Sequence, residues 1–347
     1  MKILVSALEH SANVHLKSLK ENLSDEIEFI GIFNKELGEP IIDLRNLAIM
    51  GIVDALKKLR FFLKLNAQMV DLADKADKVL LIDSSGFNLP LAKKIKKRYP
   101  NKEIIYYILP QAWAWKKKRI PVLAQTVNKL CSILPFEPSY YPANAPITYV
   151  GHPLLDQIKN FKTEINEEVK NVVFMPGSRK TEITNLMPIF KEVLAKLDIN
   201  ASVIVPEFFT QEEVQNLYGD LSNFTIKHNA HEELLQADFA FICSGTATIE
   251  ASIIGVPFIL TYIAKKFDYF VGSLLVGLEH VGLANIMFTK EYGRIMHPEF
   301  IQEEVTVENL LHSFHSYDRS DFLEDSKNLR AYLKSGSSKN VATIIES

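Results

Sequence analysis

Apolar runs of strand length alternate with helical stretches along most of this chain, and a polar turn closes nearly every run. Lys2–Leu8 is the first run, and Glu9-His10-Ser11-Ala12-Asn13 turns the chain into a helix through about Leu23. Ile27–Phe33 is a second strand, and Ile49–Leu65 carries a helical apolar stripe. Val79–Asp83 is a third strand, ending in Asp83-Ser84-Ser85-Gly86-Phe87-Asn88 before the basic helix Leu91–Arg98. Ile104–Ile108 is a fourth, followed by Pro110-Gln111-Ala112-Trp113-Ala114-Trp115 and the basic run Lys116–Arg119. The pattern pauses around Tyr149–Asp156, and the polar stretch Lys159–Asn171 reads as a linker. A second series then begins, with strands at Val172–Met175, Ala201–Val205, Phe224–Lys227, Phe239–Cys243 and Phe258–Tyr262. Helices at Thr181–Leu197, Gln211–Leu217 and Glu232–Ala237 separate them, and the chain is mostly helical from Val271 on. Such alternation predicts an α/β protein with parallel, doubly wound sheets, whose ligands gather beyond the carboxyl ends of the strands. The simplest arrangement is two Rossmann-like domains facing each other across a cleft, over 1–158 and 172–330. Residues 331–347 form a tail or helix that can pack back on the first domain.

Two turns in the second series suit an anion. After Phe239–Cys243, Ser244-Gly245-Thr246-Ala247-Thr248 offers hydroxyls and free N–H groups at the start of a helix, with Glu250 one turn in, placed to accept from ribose hydroxyls. After Val172–Met175, Pro176-Gly177-Ser178-Arg179 combines backbone donors with a guanidinium fork, and Glu182 sits in the first turn of the next helix. A Ser/Thr helix cap or a surface turn with one Arg looks the same in isolation; two in one domain favour a nucleotide. Neither GxxxxGK followed by Ser or Thr nor a GxGxxG after the first strand occurs, which disfavours a P-loop NTPase or an ordinary dinucleotide enzyme. In the first series Glu9, Asp83 and Gln111 fall at strand ends. Asp83 is a candidate general base, with His10 and Glu9 competing for the role, although a strand-end carboxylate is often only a helix cap. Ser11, Asn13, Gln111 and Trp113 are candidates for lining the first domain's side of the cleft. His228 and His231 are close in sequence, but no third ligand accompanies them and no metal is expected.

With 347 residues, 47% of them hydrophobic, the chain can build two cores. Its 39 basic and 42 acidic residues leave a formal charge of −3, which gives no general pull toward nucleic acid. Cys131 and Cys243, far apart in apolar contexts, read as reduced core thiols of a cytoplasmic protein. No window approaches the roughly 18 apolar residues of a membrane span. Charge does matter locally. Met50, Phe61, Phe62 and Leu65 lie off the stripe formed by Ile49, Ile52, Val53, Leu56, Leu59 and Leu63. Lys57, Lys58, Arg60 and Lys64 make the same segment positive, as a surface for anionic lipid would be, the alternative being a helix buried all round.

These residues together resemble the lipid-A-disaccharide synthase family of GT-B glycosyltransferases, nearly end to end. The likeness rests on Met50-Gly51-Ile52-Val53, Ile82-Asp83-Ser84 with Phe87-Asn88, Pro110 with Trp113-Ala114-Trp115 and Lys118-Arg119-Ile120, and Leu134-Pro135-Phe136-Glu137. It continues through Val150-Gly151-His152-Pro153, Pro176-Gly177-Ser178-Arg179 with Glu182, Ser244-Gly245-Thr246-Ala247 with Glu250, and Leu283 with Asn285. The resemblance implies transfer of 2,3-diacylglucosamine from its UDP donor to the 6-hydroxyl of 2,3-diacylglucosamine 1-phosphate, with inversion and without cofactor or metal. It implies a UDP site of Gly177, Ser178, Arg179, Ser244, Gly245, Thr246, Glu250 and Asn285, Asp83 as base with His10 as substitute, and peripheral attachment to the inner face of the bacterial inner membrane. Two positions depart from the family pattern. The first loop, usually GEASGD, reads Leu8-Glu9-His10-Ser11-Ala12-Asn13, and Gly86 stands where a second carboxylate is usual. A UDP-sugar epimerase of the same fold, or a non-enzymatic lipid-binding paralogue, is the competing reading.

Overall fold

The computed structural model describes residues 1–42, 55–263 and 279–347. The chain divides into two units, one of 1–157 with 333–347, the other of 158–332. Among the described residues the strands form two six-stranded sheets, parallel throughout.

In the first unit the strands β1 (Lys2–Ser6), β2 (Glu28–Ile32), β3 (Lys78–Ile82), β4 (Glu103–Tyr107), β5 (Lys129–Ser132) and β6 (Ile147–Tyr149) lie in the order β2-β1-β3-β4-β5-β6. The side chains of β1, β3 and β4 are buried on both faces, which is why each reads as a nearly unbroken apolar run. The two short strands β5 and β6 lie beyond the four that the apolar pattern predicts. Helix α1 (His10–Lys20) follows β1, α2 (Ala55–Leu72) precedes β3, and α3 (Ser85–Arg98) follows it. The helix expected from Leu91 therefore starts two turns earlier and contains Pro90, at the cost of one main-chain hydrogen bond. The short α4 (Ala112–Trp115) and α5 (Arg119–Thr126) come after β4. The chain's final helix also belongs to this unit. There Asp156 accepts hydrogen bonds from Gly336 N (2.6 Å) and Ser338 N (2.9 Å), holding the start of that helix against β6's loop.

The phase expected for α2 is reversed. Leu59 and Leu63 are 57% and 53% exposed, whereas Leu65 is 1% exposed and Phe61 and Phe62 pack, half-buried, on the core. The core face is set by Leu65, Met69, Val70 and Ala73, continuous with Phe62 at helical spacing. Met50, and with it Ile49–Val53, lies outside the described residues; Lys57 and Lys58 are described only as members of the helix. Arg60 and Lys64 are exposed.

In the second unit the strands β7 (Asn171–Met175), β8 (Asn200–Ile204), β9 (Thr225–Lys227), β10 (Phe239–Cys243), β11 (Phe258–Tyr262) and β12 (Glu299–Ile301) take the order β12-β11-β10-β7-β8-β9. Helices α6 (Lys180–Leu194), α7 (Ala230–Gln236), α8 (Thr246–Ile254) and α9 (Leu283–Tyr292) cover it. Phe174 and Phe241 stack at 5.1 Å between their ring centroids in its core. The polar stretch 159–170 has no helix or strand, yet it is tied down: Asp238 accepts from Asn166 Nδ2, Lys170 N and Asn171 N at 2.6, 2.9 and 2.8 Å.

Candidate active site

Strand order turns the two loop sets into sites. In the first sheet the chain runs outward in both directions from β1 and β3, so the crevice for a ligand opens beyond the carboxyl ends of those two strands. Glu9 follows β1 and Asp83 follows β3. In the second sheet the reversal falls between β7 and β10, and the residues just past them are Pro176–Arg179 and Ser244–Thr246. Both pairs of turns picked out by chemistry thus flank a topological switch point.

At the first switch point the backbone itself is held in a costly shape. Asp83 and Ser84 have φ of 50° and 42°, and Ile108, just past β4, has 60°. Left-handed conformations in three non-glycine residues cost on the order of 1 kcal/mol or more each and persist only when neighbours enforce them. The enforcing bonds are present. Asp83 N donates to Tyr107 O (3.1 Å), while Asp83 O accepts from Tyr106 Oη (2.7 Å) and Asn88 Nδ2 (2.8 Å). Ser6 Oγ in turn donates to Asn88 Oδ1 at 2.6 Å. This clamp spends backbone groups only and leaves the Asp83 carboxylate for other use. Burial raises that carboxyl above its usual range, the charge of Glu9 raises it further, and the Ser84 N–H opposes both. Glu9 is fixed nearby, accepting from Ser84 Oγ at 3.0 Å instead of capping α1. His10 and Ser11 are exposed on the first turn of α1, and no described contact joins His10 to Asp83.

Of the residues expected on the acceptor side, Asn13 and Trp113 are buried and Gln111 is exposed. Asn13 is held by backbone: Nδ2 donates to Ala7 O and Glu9 O, both at 2.8 Å, and Oδ1 accepts from Asn34 N at 2.6 Å. It braces the loop, with both amide protons spent on backbone. Trp113 is 2% exposed, packed edge-on against Phe136 at 4.8 Å, so it is a core residue of the β4 and β5 loops and lines no open wall. Gln111 is exposed just before α4.

Beside Trp113 lies a group the apolar pattern hides. Glu137 is 1% exposed, and burial pushes its carboxyl up to about 7. Ser132 Oγ lies 2.5 Å from Glu137 Oε2 and 3.0 Å from Leu134 O. One hydroxyl proton cannot serve both acceptors, whereas a protonated Glu137 donates to Ser132 and frees Ser132 to donate to Leu134. The folded state therefore holds a proton that the unfolded chain releases near pH 4.5. Stability from this group is complete below that pH and is lost as pH rises toward about 7, a fall on the order of 3 kcal/mol. Urea unfolding at pH 5 and pH 8 should show the parent losing about that much more stability across the interval than Glu137→Gln, a difference that sets aside the opposite contribution of the buried histidines His15, His152 and His297. Equal pH slopes would sink the assignment.

At the second switch point, Gly177 has φ of 100°, and a Cβ there would lie 2.5 Å from Glu182 Oε2. Only glycine allows this approach, which lets Glu182 brace the turn. Its Oε2 accepts from Arg179 N (3.2 Å) and its Oε1 from Arg179 Nη1 (2.9 Å), aligning the guanidinium at the start of α6 while the side chain stays 77% exposed. Ser178 is exposed beside it. In the companion turn Thr248 Oγ1 closes back on Gly245 O (2.7 Å), whereas Ser244 and Thr246 make no side-chain hydrogen bond to the described residues. Glu250 is half-buried; burial raises its carboxyl, and His231, 3.6 Å away, works against that. His228 instead contacts Val205 O at 2.7 Å, so the two histidines do not converge. Among the described residues no three His, Cys, Asp or Glu side chains gather as a metal site.

Asn285 is a correction. It is wholly buried: Nδ2 donates to His297 O and Glu299 Oε1 at 2.8 and 2.7 Å, and Oδ1 accepts from Met296 N and His297 N. All its bonding capacity holds the 296–299 segment to α9, and none faces a nucleotide.

Residues 3–338 match the family described as lipid-A-disaccharide synthetase. A lipid-A-disaccharide synthase of Helicobacter pylori is 47% identical over 98% of this chain and 96% of its own length. One of Campylobacter jejuni is 42% identical over 99% and 98%. Among solved structures, MurG of Acinetobacter baumannii superposes with a TM-score of 0.59 at 14% identity, covering 99% of both chains. UDP-GlcNAc 2-epimerase of Neisseria meningitidis, solved with UDP-GlcNAc, gives 0.63 at 12% identity over the whole of both chains. At such identity these structures establish the fold, two parallel-sheet α/β domains of GT-B type, and nothing finer.

Proposed function

We propose, from the premise that this chain belongs to the lipid-A-disaccharide synthase family and is a glycosyltransferase of lipid A biosynthesis, that it joins UDP-2,3-diacylglucosamine to 2,3-diacylglucosamine 1-phosphate. The second unit holds the donor. Arg179 and the free N–H groups of the two turns take the diphosphate, and Glu250 accepts from the ribose hydroxyls. The first unit supplies the base. Asp83 takes the proton of the acceptor's 6-hydroxyl as that oxygen attacks the donor's anomeric carbon from the face opposite UDP; the bond to the β-phosphate breaks and UDP leaves with its electron pair. One β-1,6 bond forms with inversion. The observation that supports this best is Asp83: a half-buried carboxylate with a raised pKa, held by strained backbone at a switch point.

Incubation with both substrates should give disaccharide 1-phosphate by mass spectrometry. Release of an epimerised UDP-sugar without acceptor would establish the competing chemistry, and absence of UDP binding would leave only lipid binding. Since the leaving diphosphate is neutralised by Arg179 and backbone dipoles, turnover is expected to persist in excess EDTA. Loss on chelation, reversed by Mg²⁺ or Mn²⁺, would contradict that.

Acylated substrates require contact with a bilayer, and no helix among the described residues is long and apolar enough to cross one. The contact surface is α2, read with its observed phase: Leu59 and Leu63 are exposed beside the exposed Arg60 and Lys64. On this reading the protein works as a peripheral protein on the inner face of the bacterial inner membrane. Leu59→Glu with Leu63→Glu should cut co-sedimentation with anionic liposomes and turnover of long-chain substrates while sparing short-chain, water-soluble ones. The same change at Phe61 and Phe62, which pack on the core, should instead destabilise the fold. Liposome binding unaltered in the Leu59/Leu63 variant would remove α2 from the interface.

A further inference from the structure

Arg119 is the first residue of α5, half-buried, and donates from Nη1 to Ser85 Oγ at 2.9 Å. Among the described residues that is its one side-chain hydrogen bond, and no carboxylate there pairs with it. A guanidinium carries five N–H donors in a planar fork, and a half-buried one with a single neutral partner is incompletely compensated. The unused donors suit an oxyanion that can be gripped by two parallel bonds.

Its position relates it to the base. Ser85 is two residues beyond Asp83, and the Tyr106 hydroxyl, bonded to Asp83 O, feels both the Asp83 and the Arg119 charge. Yet no described bond joins Arg119 to Asp83, and its charge is not among those that shift the Asp83 carboxyl, so the base is left unneutralised. Of the two substrates proposed above, the acceptor carries both a hydroxyl for Asp83 and a phosphomonoester for Arg119.

We propose that Arg119, with Ser85, is the specificity element that binds the phosphomonoester of the acceptor sugar while its hydroxyl is presented to Asp83. This rests on the transfer reaction proposed above. It makes acceptor choice a property of the β3 and β4 loops, independent of the diphosphate turns of the second unit.

The test compares Arg119→Gln with the parent on two soluble short-chain acceptors, the 1-phosphate and its dephosphorylated 1-hydroxyl counterpart. The parent's preference for the phosphorylated acceptor, as a ratio of kcat/KM values, should fall roughly ten- to a hundredfold in the variant, the loss expected for a charge-assisted pair. Arg119→Lys, which keeps charge but not the fork, should recover part of it. UDP affinity by calorimetry and co-sedimentation with anionic liposomes should match the parent, separating the acceptor's phosphate from the donor's diphosphate and from lipid headgroups. An equal loss on both acceptors, with the ratio preserved, would make Arg119 a structural support and overturn the proposal; so would a loss confined to UDP or liposome binding. If the parent makes no disaccharide from either acceptor, the transfer reaction itself fails and the inference falls with it, a result distinct from a preserved ratio.

Discussion

Asp83→Asn should lower kcat by roughly two to four orders of magnitude while leaving UDP affinity near that of the parent. The amide is isosteric, and the bonds that hold this corner, from Tyr106, Asn88 and the Asp83 N–H, all run to backbone atoms, so the strained loop should survive the change. What disappears, on the proposed mechanism, is an acceptor for the proton released as the 6-hydroxyl attacks. The pH profile offers an independent check. Burial and the Glu9 charge both raise the Asp83 carboxyl, so the acid limb of kcat/KM should lie above the ordinary carboxylate range. Removing the Glu9 charge by Glu9→Gln should move that limb to lower pH, since less repulsion means easier ionisation. A variant at Asp83 that keeps more than about a tenth of the activity would return His10 to candidacy.

Much of this site was legible in the sequence, for a reason that lies in parallel sheets. Strands buried on both faces read as continuous apolar runs, so their carboxyl ends, and the residues just past them, can be located without a structure. That is how Glu9, Asp83, the 176–179 turn and the 244–246 turn come forward. Strand order is not legible in this way. Nothing local to Asp83 says that β3 neighbours β1, so its partnership with Glu9 through Ser84 emerges only from the register of the sheet. The reversed phase of α2 has a similar origin. A stripe read over 49–65 omits Met69, Val70 and Ala73, the residues that fix which face is buried. Asn13 and Asn285 show a further limit. An amide's hydrogen-bonding capacity can be used up by neighbouring backbone or left for a ligand, and composition is the same in both cases. Glu137 was hidden because a carboxylate beside apolar residues reads as a surface group until its burial is seen.

Arg179→Ala should weaken UDP binding roughly ten- to a hundredfold and slow turnover at saturation as well, because the guanidinium meets the diphosphate both before and during departure of the leaving group. The geometry makes this sharper than the loss of any exposed cation. Glu182 grips Arg179 twice, through its backbone N–H and one arm of the fork, and Gly177 gives that carboxylate the room to do so. The remaining guanidinium donors are thereby aimed at the start of α6, where backbone N–H groups also point at an anion. Two further variants separate aim from charge. Glu182→Gln retains a hydrogen-bond acceptor but loses the ionic grip, and should weaken UDP less than Arg179→Ala. Gly177→Ala forces a Cβ into the Glu182 carboxylate in a left-handed backbone and should weaken UDP at least as much. Calorimetry with UDP, and with uridine as a control lacking phosphate, decides the matter. If Arg179→Ala binds UDP as the parent does, or loses uridine in the same proportion, the 176–179 turn does not hold the diphosphate.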